Sequence, residues 1–214
     1  MGRRALPKID RTIEFDHLIK HVEDLPEGFN VLEFFDRDAP LEIEVGSGKG
    51  LFLSNASRND PDANYLGNEI ARKYAKYCAY RFAKLGCTNA RMIAGDGLRL
   101  FREFLQADIA RGVHVYFPDP WWKARHRRRR VMTPEFVADV YRVLQPGGVF
   151  HFWTDVEEYF ESTIELLAEC SQFSKPRSVE VTPAEHGMDY RTHFERRMRL
   201  NDHPVFRAQF VKSN

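Results

Sequence analysis

The sequence predicts a doubly wound α/β fold: a mostly parallel β-sheet with helices on both faces. Three observations predict it. Short apolar runs of strand character alternate with longer segments of helical composition along most of the 214-residue chain. Such alternation builds βαβ units, which lay successive strands side by side in parallel. The first run, LEIEV at 41–45, leads directly into a glycine loop, GSGKG, and the strands after it end in acidic residues. Ligands of open α/β sheets bind beyond the carboxyl ends of the strands, so acids placed there are candidate site residues.

Taken in order, residues 1–40 are mixed and weakly periodic, and NVLEFFDRDAP can contain a short helix. They are expected as an N-terminal extension, with flexibility and RNA contact as its two readings. Residues 41–214 then form a single domain. Strands are expected at 41–45, 64–70, 90–94, 113–117 and 149–154, each an apolar run of strand length. Helices are expected at 51–58, 71–85, 98–110, 134–144 and 156–170. QPGG at 145–148 stops the fourth helix and restarts a strand. PVFRAQFVK at 204–212 reads as a last strand, with its proline at the start, where a missing N–H is tolerated.

Composition bounds the function. With 43% hydrophobic and 29% charged residues, the chain can build one domain with a sizeable core. No apolar run approaches the roughly 18 residues of a membrane span, and the N-terminus lacks the apolar middle of a signal peptide. Cys78, Cys87 and Cys170 are too scattered for a disulfide framework and none has a metal-ligand spacing. A reduced, cytoplasmic protein without a metal site is expected. The net charge is only +1, but KARHRRRR at 123–130 gathers six permanent cations and His126 in eight residues. Any basic face is therefore local.

The glycine loop can be tested against three ligands. A P-loop requires G-x-x-x-x-G-K-[ST]; counting back from Gly48-Lys49, Ile43 stands at the first glycine and Gly50 at the hydroxyl. A dinucleotide fingerprint requires G-x-G-x-x-G; Leu51 stands at the third glycine, and Glu44 would repel a pyrophosphate. An acid followed by G-x-G-x-G suits a ligand with a cationic end and no phosphate, such as S-adenosyl-L-methionine. Glu44 can serve the cationic end, while Gly46 and Gly48 leave room for the aminoacyl arm. Glu69, 19 residues after Gly50, stands where an acid commonly grips a ribose diol. Asp96, in GDG after the third strand, can accept from the adenine amino group. Each acid alone reads as a surface acid, cap or turn residue; three at consecutive strand ends favour the adenosylmethionine site.

VYFPDPWWKARHRRRR at 115–130 follows the fourth strand and carries the substrate chemistry. Pro118 and Pro120 restrict the backbone around Asp119. Trp121 and Trp122 offer flat faces on which a nucleobase can stack; the alternative is that both pack as core and Asp119 caps a turn. The following cations can neutralise phosphates. Asp155, after the fifth strand, reaches the same crevice; it reads equally as substrate carboxylate or as the N-cap of the next helix, with Glu158 in capping-box position. His114, His151 and His193 read as structural.

The stretches EVGSGKG, GNEI, GDG, FPDPWWKARHRRRR, FWTDVEEY and THFERR…PVFRA resemble the bacterial tRNA (guanine-N7)-methyltransferases, from about Leu41 to Val211. F-P-D-P-W-x-K-x-R-H is the most specific part. The resemblance implies a Rossmann-like, seven-stranded sheet whose last strand is antiparallel. It implies that Glu44, Glu69, Asp96 and Asp119 line the pocket for adenosylmethionine and guanine. Lys123, Asp155, Thr192 and Glu195 would contact the substrate, and Arg125, His126, Arg127, Arg128, Arg129 and Arg130 the RNA. It further implies methyl transfer to N7 of a guanosine in the tRNA variable loop, leaving S-adenosyl-L-homocysteine. The partner it implies is tRNA, with no membrane and no obligatory protein partner expected, in a monomer or homodimer. Trp122 stands where the family usually has proline or histidine, Asn201-Asp202 where a glycine is common, and Phe206 where tyrosine is frequent.

Guanine N7 has an in-plane lone pair and no proton, so its methylation needs alignment rather than a general base. Asp119 is assigned the catalytic role: a carboxylate facing the guanine N1–H and amino group binds more strongly as the ring becomes cationic. Two other readings remain. An adenine or cytosine amino-methyltransferase would more often carry D/N-P-P-Y/F/W here. A non-catalytic RNA-binding protein on the same scaffold would be expected to have lost some of the crevice acids.

Overall fold

A computed structural model describes residues 6–170, 172–180, 183, 184, 186 and 190–213. Seven strands form one sheet: β1 (Ile19–His21), β2 (Leu41–Val45), β3 (Asn64–Glu69), β4 (Ala90–Ala94), β5 (Ala110–Tyr116), β6 (Leu144–Thr154) and β7 (Phe206–Val211). Their order is β1-β4-β3-β2-β5-β6-β7. Every neighbouring pair is parallel except β6–β7, which is antiparallel. The doubly wound α/β fold expected from the sequence is present.

The helices are α1 (Leu51–Asn59), α2 (Arg72–Leu85), α3 (Gly97–Arg99, continuing π-helically through Leu100–Phe104), α4 (Pro134–Val143), α5 (Glu157–Glu169) and α6 (His193–Leu200). Local chemistry sets their ends. Thr133 accepts the Phe136 amide and Pro134 opens α4, a position where proline loses no bond. Gly86 closes α2 in the left-handed conformation, with Gly86 N bonded to Ala83 O and Cys87 N to Phe82 O.

β2, β3 and β4 are buried throughout, as central strands covered on both faces must be. Alternation sorts the side chains of β2. Leu41, Ile43 and Val45 enter a core shared with Val113, Phe136 and Phe152. Glu42 and Glu44 point to the opposite face, where Phe52 and Leu53 of α1 and Cys78 and Phe82 of α2 pack with Met92 of β4.

Several expectations shift. The pattern of residues 1–40 predicts no strand, yet Ile19–His21 pairs with Met92–Ala94 at the sheet edge. Val22 and Val31 are buried in the core, and the helix expected within NVLEFFDRDAP is a 3-10 turn, Val31–Phe34. The helix expected at 98–110 stops at Phe104. There, the amides of Asp108 and Ile109 bond to the carbonyls of Arg142 and Val143 at the end of α4, which lead into β5 and β6. No periodicity in the sequence announces α6.

Candidate active site

Strands β2, β3 and β4 progress one way across the sheet and β5 and β6 the other, so the order reverses between β2 and β5. All five end on the same edge because they are parallel. That reversal opens a crevice beyond their carboxyl ends. The loop after β2 turns on Gly46, Gly48 and Gly50, at φ +83°, +53° and +68°, a region where side chains are strained. The amides of Gly46 and Ser47 both bond to Asn68 O at 2.9 Å, tying the loop to β3. A Cβ on Gly46 or Gly48 would meet nothing within 4 Å, so this stretch borders open space; one on Gly50 would collide with Cys78.

The predicted acids gather along this edge in different states. Glu44 is 3% exposed, and its Oε2 has no hydrogen-bond partner. Burial pushes its carboxyl up to about 8; Ser47 opposes the shift, and the charge of Glu69 adds to it. A buried oxygen without a partner fits a cationic group. Glu69 accepts Gly48 N at 2.9 Å through one oxygen and Ala71 N at 2.8 Å through the other. Asp96 caps α3, accepting Leu98 N at 2.9 Å, so the cap or turn role open to it in the sequence is present. Asp119 stands exposed just past β5. The N-cap of α5 is Val156, and its amide bonds to Thr154 Oγ1 at 3.2 Å. Asp155, half-buried beside it, is therefore not the cap.

The loop after β5 bends at two non-glycine residues with positive φ, Phe117 at +51° and Trp121 at +47°. Such backbone persists only where the surroundings hold it, and it clusters at functional sites. The Arg129 guanidinium lies 5.0 Å from the Trp121 ring centroid, and His126 meets that ring edge-on at 5.9 Å. Lys123, Arg125, Arg128 and Arg129 are exposed, and His126 is half-buried. The side chain of Arg127 lies outside the described ones. Arg130 turns inward: its side chain is 11% exposed, donates to Pro120 O at 2.8 Å and lies 4.5 Å over the Tyr159 ring.

The C-terminal segment folds back onto the same region. Thr192 caps α6 by accepting Glu195 N at 2.9 Å. Glu195, 3% exposed, accepts Arg191 N at 2.7 Å and Arg207 at 3.1 Å and pairs with Arg199. Both side chains are thus engaged within the chain, a variant of the capping box. Phe194 packs against Phe117 with ring centroids 4.8 Å apart and planes tilted by 34°, joining α6 to the loop after β5.

Beneath that segment lies a polar chain that residue-by-residue reading of the sequence misses. Glu42 is bonded to Arg111 at 2.6 Å and to His114 Nε2 at 2.7 Å. His114 Nδ1 faces Tyr116 OH at 2.8 Å, and Arg191 donates to that same oxygen at 3.2 Å. Burial holds His114 below the usual histidine range, so it is neutral. Nε2–H then donates to Glu42, and Nδ1 accepts from Tyr116. The period-2 spacing of His114 and Tyr116 is the one local signal; the partners, 72 and 75 residues away, leave none.

Residues 38–208 match a family model described as a putative methyltransferase. A tRNA (guanine-N(7)-)-methyltransferase of Rhodopirellula baltica is 46% identical, over 99% of this chain and 80% of its own length. Another from Actinobacillus pleuropneumoniae is 34% identical, over 86% and 74%. Among solved structures, the 16S rRNA methyltransferase KamB superposes with a TM-score of 0.63 at 20% identity, covering 87% of this chain and 95% of that one. That likeness is one of fold.

Proposed function

The chain belongs to the family of tRNA (guanine-N(7)-)-methyltransferases, and on that premise we propose that it transfers a methyl group from S-adenosyl-L-methionine to N7 of a guanosine in the tRNA variable loop. One observation of the fold carries the reading. Glu44, near the end of β2, and Asp119, just past β5, stand at the carboxyl ends of the two strands that flank the chain-order reversal, and the exposed cations begin four residues beyond Asp119.

The residues of the crevice fit the methyl donor. Glu44, with a buried oxygen in need of a partner, takes its cationic amino group. Glu69 takes the ribose diol with the lone pairs that Gly48 N and Ala71 N leave over. Asp96 takes the adenine amino group. When bound, the donor supplies an electrophilic sulfonium methyl.

The chain's own residues do the rest. Asp119 receives the guanine N1–H and amino group, which selects guanine, since adenine has no donor at N1. Those hydrogens grow more acidic as positive charge enters the purine, so the contact tightens in the transition state. Asp155 supports the guanine from the neighbouring strand end. Lys123 and the Thr192–Glu195 segment position the nucleotide, while Arg125, Arg128 and Arg129 meet phosphates. Thr192 and Glu195 act through placement: their side chains fix the start of α6, whose Phe194 packs against Phe117 in the loop bearing Asp119.

The test is methyl transfer from labelled adenosylmethionine to bulk unmodified tRNA, with the product digested to nucleosides. N7-methylguanosine is expected. Methyladenosine or methylcytosine would replace the reading with amino-group methylation.

A further inference from the structure

The two adjacent tryptophans after β5 differ in exposure. Trp121 is half-buried, with Arg129 over its ring and His126 against it. Trp122 is 66% exposed. Among the described large apolar side chains that stand open to solvent, which also include Ile70, Leu85 and Leu200, it is the one aromatic ring.

Leaving an indole in water forgoes the gain of covering its apolar faces. Its surroundings say what would cover it. Lys123, Arg125, Arg128 and Arg129 are all exposed within seven residues of it, and no acid occurs between Trp122 and Arg130. A second copy of this chain would bring the same cations against them. A polyanion that carries flat apolar faces complements both features at once, and a single-stranded stretch of RNA is such a ligand.

We infer that Trp122 is a stacking platform for an unpaired tRNA base other than the one methylated. The inference rests on the tRNA reading above and adds a base contact outside the crevice. The methylated base must enter the crevice beside Glu44 and Asp119. Trp122 lies beyond Pro120, on the solvent side of the loop, where a neighbouring base can settle while the arginines hold its phosphates. Trp122 therefore contributes to binding the RNA and not to the chemical step.

The experiment measures equilibrium binding of unmodified tRNA to the wild-type protein, Trp122→Ala and Trp122→Phe across a range of salt concentrations. Methyl transfer is followed in parallel. Trp122→Ala is expected to weaken binding about tenfold, the scale of losing one stacked base. Trp122→Phe should stay within about twofold of wild type, because a ring is kept. The salt dependence should be the same in all three, since no charge is removed. Turnover at saturating tRNA should be unchanged. Equal binding by wild type and Trp122→Ala would overturn the inference, as would failure of phenylalanine to rescue or an altered salt slope. A fall in saturated turnover would place the ring on the target base instead. A change in oligomeric state with unchanged RNA binding would assign it to a protein contact. Should the wild type form no N7-methylguanosine, the reaction would be wrong, while the binding series would still decide the role of Trp122.

Discussion

Glu69 Oε2 accepts the backbone amide of Gly48 at 2.9 Å, so the carboxylate that ends β3 also fastens the glycine loop that follows β2. Its other oxygen holds the Ala71 amide ahead of α2. One side chain thus sets the relative position of two loops that border the crevice. Glu69→Gln replaces one acceptor oxygen with a donor and forces one amide to lose its partner. The KM for adenosylmethionine should rise at least about tenfold, the scale of a charge-assisted bond, with the KM for tRNA nearly unchanged. Steady-state kinetics with each substrate varied in turn would show it; equal rises in both constants would mean that the loop shapes the whole site.

Asp119 lies in a loop held by two prolines and two left-handed residues, and the role proposed for its carboxylate is electrostatic. Asp119→Asn keeps the shape and removes the charge. Turnover should fall by about 10²-fold or more, as when one charge-stabilising group is removed from an active site, while adenosylmethionine still binds. Single-turnover rates alongside ligand titration would separate the two. A variant that methylates near the normal rate would remove Asp119 from the chemistry.

With Glu44 as the proposed partner of the cationic amino group, cofactor binding should depend on pH. The Glu44 carboxyl, pushed up by burial to about 8, is largely protonated in the empty protein at neutral pH. The folded value lies above the ordinary 4.5, so its contribution to the stability of the empty protein is full below that value. It is lost as pH rises through about 8. Pairing with a cationic amino group requires the ionised form, so binding at pH 7 should release a proton and tighten as pH rises towards 8. Calorimetry in two buffers of different ionisation enthalpy would count that proton. Glu44→Gln, measured alongside, cancels the ligand's own titration and should show no release from the protein.

The arginines of the loop after β5 divide into two groups. Replacing Arg125, Arg128 and Arg129 by alanine should reduce the salt slope of tRNA binding by roughly 0.7–0.9 for every phosphate no longer neutralised. Arg130→Ala should leave that slope unchanged and instead cost about 1–3 kcal/mol of stability, because Pro120 O loses its donor and Tyr159 its guanidinium. Salt-dependent binding and thermal unfolding of both variants would distinguish the groups. A flattened slope in Arg130→Ala would mean that this side chain turns outward on RNA.

The central strands are legible in the sequence because the strand period leaves a signal within five consecutive residues, as in the alternation of LEIEV, and the glycines after it need no partner to announce a turn. Ile19–His21 leaves no such signal. Three residues are too short for a period, and their strand character comes from Met92–Ala94, more than 70 positions away. α6 is equally hidden: its polar sequence, HFERRMRL, is anchored chiefly by Thr192 and by the buried pairing of Glu195 with Arg207.

By itself, the sequence determined the alternation of elements, the glycine loop, the acids at successive strand ends and the family to which they point. Each is written in neighbouring residues, where periodicity and turn chemistry act. Only the tertiary structure decided which polar groups are already engaged and which stay open. Glu69 is clasped by two amides, Glu44 keeps an unpartnered oxygen, Arg130 faces inward and Trp122 faces out. Burial and pairing depend on what the rest of the chain brings alongside, and one residue's neighbours in sequence do not specify its neighbours in space.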